Sequence, residues 1–97
     1  MAGYLLTKRA RRDVLQIWQY IARDSEQNAD KFLAELIERF SMLGQNPRAG
    51  RQRDDIRPGI RGFPLGEYEI LYRVGEPGVR ISDVVHGRRD LSRMRRR

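Results

Sequence analysis

Between Tyr4 and Leu43 the chain contains neither glycine nor proline, whereas all four prolines and every glycine except Gly3 lie from Gly44 onward. Such punctuation divides the chain into a helical first half and a second half of short strands joined by turns. Thr7 is placed to cap a first helix that runs to about Asp24, with Val14, Ile17, Trp18 and Ile21 forming one apolar stripe. Asp24 or Ser25 then ends that helix and caps a second, whose stripe is Ala29, Phe32, Leu33, Leu36, Ile37, Phe40 and Leu43. Gly44 and Pro47 are expected to close it. So short a link makes the two helices an antiparallel hairpin, and their apolar faces require a further layer to cover them.

The second half supplies that layer. Residues 60–65 read as a short strand in which Pro64 argues for an edge or a bulge. Residues 68–74 alternate, with Tyr68, Ile70, Tyr72 and Val74 on one face. Gly75-Glu76-Pro77-Gly78 is a hairpin turn, and residues 79–85 return with Val79 and Ile81 on one side. The alternation slips near Asp83, because Val84 and Val85 are both apolar, and this predicts a bulge or a sheet end. Residues 4–6 can add a strand at the N-terminus. The expected architecture is α+β: an N-terminal strand and an antiparallel two-helix hairpin packed on a small, mainly antiparallel sheet of three to four strands. Residues 1–97 form one domain, with about 92–97 as a flexible basic tail.

The formal net charge is +7, which favours acidic partners without choosing among nucleic acid, membrane and protein. There is no cysteine and one histidine, so thiolate metal sites are excluded, and neither a metal nor a cofactor is expected. The N-terminal apolar stretch is too short for a signal peptide, and no run reaches membrane-spanning length. A cytoplasmic protein with no membrane partner is the expectation.

Four constellations are candidates for chemistry. His86-Gly87-Arg88-Arg89-Asp90 offers a base and phosphate-clamping cations for metal-free RNA cleavage. A lone histidine without a placed partner is a weak catalytic signal, however, and local pairing of Arg89 with Asp90 is the preferred reading. Lys8, Arg9, Arg11 and Arg12 crowd the start of the first helix, where cations oppose its dipole at small cost. Arg48, Arg51, Arg53, Arg57 and Arg61 surround Asp54 and Asp55 in a stretch suited either to a polar loop or to bidentate docking of carboxylates. Tyr68 and Tyr72 could stack bases, but their interleaving with Ile70 and Val74 favours core.

The chain carries in order Ala10-Arg11-Arg12-Asp13-Val14, Trp18-Gln19-Tyr20-Ile21-Ala22 and Asn46-Pro47-Arg48-Ala49-Gly50-Arg51. There follow Pro58-Gly59-Ile60-Arg61-Gly62-Phe63-Pro64, Tyr68-Glu69-Ile70-Leu71-Tyr72-Arg73 and His86-Gly87-Arg88-Arg89-Asp90-Leu91. In the order and spacing of these pieces it resembles the ParE branch of the ParE/RelE toxin superfamily. RelE-like members cleave messenger RNA on the ribosome, with lysines on the strand matching residues 60–65, an arginine after the tyrosine matching Tyr68, and a tyrosine near the C-terminus. Here that strand has Arg61 and no lysine, Glu69 follows Tyr68, no tyrosine follows Tyr72, and only Arg89 matches. The resemblance therefore implies a toxin that is not an enzyme and has no catalytic residues, one that blocks DNA gyrase by binding. Its contacts would be Arg88, Arg89, Leu91 and Arg93. The implied second partner is a ParD-like antitoxin in a hetero-oligomer, held through Arg9, Arg12, Trp18, Arg51, Arg53 and Arg61. DNA would be reached only indirectly, through the antitoxin complex. The alternatives are a RelE-like ribosome-dependent mRNA endonuclease and a basic nucleic-acid-binding module.

Overall fold

Thr7 and Ser25 start the two long helices by the same device. In the computed structural model, which describes residues 3–95, the Thr7 hydroxyl accepts from the Ala10 N–H and opens α1 (Lys8–Ala22). The Ser25 hydroxyl accepts from Asn28 N–H and opens α2 (Glu26–Gln45). Each cap is worth about 1 kcal/mol. Thr7 also donates its Oγ1 proton to the Ser82 carbonyl at 2.9 Å, so the residue that begins α1 also ties it to the sheet. Trp18 Nε1 donates to Asp30 Oδ1 at 2.9 Å and bridges the hairpin from α1 to α2.

Five strands, β1 (Tyr4–Leu6), β2 (Arg51–Gln52), β3 (Arg61–Leu65), β4 (Tyr68–Gly75) and β5 (Gly78–His86), form one sheet in the order β1-β5-β4-β3-β2. Only the β1–β5 pairing is parallel. This is one strand more than the sequence suggests, because β2 is only two residues long and exists only by pairing with Arg61 and Gly62. Pro64 lies beyond the end of β2, where β3 is the edge of the sheet. The slip in β5 is a bulge: Leu71 pairs with Asp83 but Tyr72 pairs with Ile81, so Ser82 is the extra residue.

One face of the sheet carries the main core. Ile70, Tyr72, Val79, Ile81 and Val84 meet Ala10, Ile17, Leu36, Phe40 and Leu43 of the hairpin, with Tyr68 partly buried beside them. Tyr72 is fully buried; its hydroxyl accepts from Gly50 N–H at 2.8 Å and donates to the Pro47 carbonyl at 2.7 Å. Burial pushes its phenol pKa up. Val74, expected on this face with them, is exposed beside Met42 and Pro47 at the end of α2.

Gly44 does not end α2, which continues to Gln45. A Cβ at Gly44 or at Gly78 would stand 2.5 Å from the Gly3 carbonyl oxygen. Three backbones therefore meet where α2, β1 and β5 converge, and close approach is what the glycines permit there.

The other face carries a second, smaller core of Ile56, Ile60, Leu71, Val85 and Leu91, with Met94 packed against it. Its lid is α3 (Arg89–Arg95), which corrects the expectation of a flexible tail from about residue 92. Residues 96 and 97 of that tail lie outside the described residues.

Candidate interaction surface

The end of β5 and the start of α3 lock onto each other. The His86 N–H donates to Asp90 Oδ2 at 2.8 Å, and Arg89 N–H donates to His86 Nδ1 at 3.3 Å. The imidazole lies edge-on to the Tyr68 ring at 5.5 Å, with Nε2 at 3.6 Å from Glu67 Oε1. Arg89 Nε is 3.4 Å from Asp90 Oδ1, the local pairing expected from the sequence. His86 thus organises a helix start.

This lock decides which candidates reach solvent. Arg88, Arg89 and Arg93 are exposed. Leu91 is 6 % exposed and packs into the second core. It cannot meet a partner while α3 is docked, so its assignment as a target contact is corrected to that of an anchor for the helix.

Two clefts flank α3. One of about 460 Å³ lies against α1 and is lined by Gln16, Tyr20, Arg23, Tyr68, His86 and Arg89, among others. The second, of about 630 Å³, lies over the residue 56–58 loop, with Arg9, Arg57 and Arg93 around apolar Ile56, Val85 and Met94. Asp13 and Asp90 line both. Asp13 Oδ2 accepts from Val84 N–H at 3.0 Å. Burial raises its pKa; the Val84 hydrogen bond opposes that shift, while Asp83 and Asp90 reinforce it. Among the described residues no group of three or more His, Cys, Asp and Glu side chains is placed to hold a metal ion.

Arg53 also changes role. It is 3 % exposed, and its guanidinium contacts Asp55 (Nε–Oδ1 3.0 Å, Nη2–Oδ2 3.1 Å) and Glu69 (Nη1–Oε2 2.7 Å). These contacts hold its pKa above the usual arginine value: the Asp55 hydrogen bond is the largest cause, burial opposes it, and Glu69 adds to it. It is a structural ion and is withdrawn as an antitoxin contact. Arg61 donates Nη1 to the Gly50 carbonyl at 2.6 Å and is half-buried. Arg9, Arg12 and Arg51 are exposed, Arg9 lying 3.6 Å from Asp83; Trp18 is half-buried. The structure therefore gathers Arg88, Arg89 and Arg93 at one end of the sheet and leaves the other candidates dispersed.

Comparison with known proteins agrees with this architecture. Residues 4–91 match the profile of the family described as ParE toxin of type II toxin-antitoxin system, parDE. Toxin ParE1 of Mycobacterium tuberculosis is 36 % identical over 92 residues, covering 93 % of this chain and 94 % of that protein. Toxin ParE1 of Caulobacter vibrioides is 34 % identical over 77 residues, covering 77 % and 79 %. A solved chain described as "Chromosomal ParDE TA system from P. aeruginosa" shares the fold with a TM-score of 0.73 at 22 % identity, over 89 % of this chain and 96 % of its own. Profile and relatives place the protein in the class of type II toxin–antitoxin toxins. Within that class the chain belongs to the ParE family. Among the described residues no helix is long and apolar enough to cross a membrane.

Proposed function

We propose that this ParE-family chain acts in the cytoplasm by binding DNA gyrase directly, catalyses no reaction itself, and is neutralised by a ParD-like antitoxin. The observation that carries the reading is the rigid basic end formed by α3. Leu91 anchors the helix, Asp90 and His86 fix its start, and Arg88, Arg89 and Arg93 are left facing solvent. Because the helix start that carries these guanidinium groups is already folded and anchored, docking need not order its backbone. The buried Arg53–Glu69 pair supports a non-enzymatic role. It occupies the sheet position where an RNA-cleaving relative needs a free cation, and there the carboxylate neutralises the charge instead.

The antitoxin reading rests on the outer face of the hairpin. Leu15 and Ile37 are exposed apolar side chains there, close in sequence to half-buried Trp18 and Leu33. An amphipathic helix from a disordered, acidic segment fits such a face, with Arg9, Arg12 and Arg51 available for its charges. The solved relative's own description as a ParDE system supports a ParD-like partner.

The test is a supercoiling assay with purified gyrase, ATP and relaxed plasmid. Antitoxin-reversible loss of supercoiling, with cleaved-DNA complexes, is the expected result. Unchanged supercoiling in the presence of folded protein overturns the gyrase target, and ribosome-dependent RNA cleavage would then be assayed.

A further inference from the structure

The second face of the sheet is covered along only part of its length. α3 and the loop around Ile56 and Ile60 pack over Leu71 and Val85, whereas Leu5, Arg73 and Arg80 on the same face are exposed. Arg73 and Arg80 stand directly opposite each other on β4 and β5, and Leu5, 48 % exposed, stands opposite Arg80 on β1. Like charges directly opposite on paired strands destabilise a sheet. This pair has no local carboxylate to relieve it: neither arginine makes an ion pair among the described residues, and Arg73 donates Nη1 to the Pro58 carbonyl at 2.7 Å. The patch continues through Arg57 and Arg9, which share the buried carboxylate of Asp83 (Nη2–Oδ1 2.7 Å and Nη1–Oδ2 3.6 Å). Arg73 and Arg80 thus stand unpaired on the uncovered part of the sheet, and Arg57 and Arg9 continue the positive charge beside them, partly offset by Asp83.

We propose that this surface binds the sugar–phosphate backbone of duplex DNA directly, with Arg73 and Arg80 as the central phosphate contacts and Arg57 and Arg9 extending the track. Three observations select this occupant. A protein segment draws its affinity from apolar or aromatic anchors seated in pockets, and around the central Arg73 and Arg80 the exposed apolar group is Leu5 alone. Single-stranded nucleic acid needs stacking platforms, and none of these exposed side chains is aromatic. Phosphates need only cations with spare donors, which Arg80 supplies in full. Phosphate contacts from strand arginines carry no base readout, so the contact is independent of sequence. The proposal revises the expectation that DNA is reached only through the antitoxin complex. It does not rest on the gyrase reading, since it is tested in the absence of gyrase.

The experiment is a fluorescence-anisotropy titration of the full chain with a labelled mixed-sequence duplex, as salt is raised from about 50 to about 200 mM. Wild type is expected to bind at the low-salt end and to lose affinity steeply. Arg73→Gln/Arg80→Gln is expected to reduce the log–log salt slope by about 1.8, at roughly 0.9 per phosphate contact. Lys31→Gln/Arg39→Gln on α2 removes the same charge from the opposite layer and is expected to leave the slope in place. Removing the opposed pair relieves repulsion, so the double variant is expected to unfold at no lower a denaturant concentration than wild type; binding that falls while stability holds is the signature of a contact. Arg80→Gln alone spares the Arg73–Pro58 hydrogen bond, is expected to take about half the effect, and gives the answer should the double variant misfold. No binding by wild type at low salt, an equal loss in the α2 control, or an acidic peptide whose binding depends on Arg73 and Arg80 while DNA binding does not, overturns the proposal.

Discussion

At the scale of single residues, buried charge separates the groups that build this protein from those free to act. Arg53 and Glu69 are both nearly dry, with Glu69 at 12 % side-chain exposure, and each is the other's compensation. Arg53→Ala leaves that carboxylate without its cation and is expected to cost about 3–5 kcal/mol, read as a shift in the urea midpoint. Its bond to half-exposed Asp55 adds little, because solvent screens it. Asp13 shows the opposite sign. Its folded-state pKa lies above the ordinary 3.8, so its contribution to stability is fully present below 3.8 and is lost as pH rises through the raised value. Asp13→Asn keeps an oxygen for Val84 N–H and removes both the buried charge and its repulsion from Asp83 and Asp90. The variant is expected to be at least as stable as wild type at neutral pH. Its advantage should shrink as pH falls through the window that ends at 3.8, in denaturation curves taken along a pH series.

At the scale of elements, helix α3 is where sequence and structure part company most. Both long helices and the β4–β5 hairpin follow from local signals: Thr7 and Ser25 as caps, apolar residues at helical spacing, and a turn closing at Gly75 and Gly78. The α3 segment carries only Leu91 and Met94 as apolar residues among arginines, too short a stripe to be read as a helix. It gains meaning only because Leu71 and Val85 point to the face it covers, opposite the face on which Ile70, Tyr72, Val79 and Ile81 alternate. Strand β2 was illegible for a similar reason, since two residues carry no period. The opposed arginines were legible in principle, because residues 73 and 80 lie at equal distance from the turn once its register is known. Leu91→Ala is expected to cost about 2 kcal/mol, the low end for a buried leucine, because the cluster is small and near the surface. It should also speed tryptic cleavage after Arg88 and Arg89 relative to cleavage within α1, because a loosened α3 exposes its backbone first.

At the scale of the whole molecule, positive charge is sorted into separate territories. The hairpin presents apolar groups with arginines at the rim, the uncovered sheet presents Arg73 and Arg80, and α3 presents Arg88, Arg89 and Arg93. These territories sit on different elements, so a partner on one need not displace a partner on another. Deleting residues 88–97 is a poor probe of α3, because it also strips Leu91 and Met94 from the second core and bares Ile56, Leu71 and Val85. Charge reversal at Arg88, Arg89 and Arg93 tests the surface alone. Arg88 and Arg93 are exposed, so folding stability is expected to stay within about 0.5 kcal/mol for each; reversal of Arg89 also loses its exposed pair with Asp90, worth up to about 1 kcal/mol. Gyrase inhibition should weaken at least about tenfold, equivalent to about 1.4 kcal/mol of interface energy, whereas antitoxin affinity, read by calorimetry, should hold. Full inhibition by the reversed protein would move the gyrase contact off α3. Loss of inhibition and antitoxin binding together would mean that the two partners share this end of the sheet and that the antitoxin neutralises by direct competition.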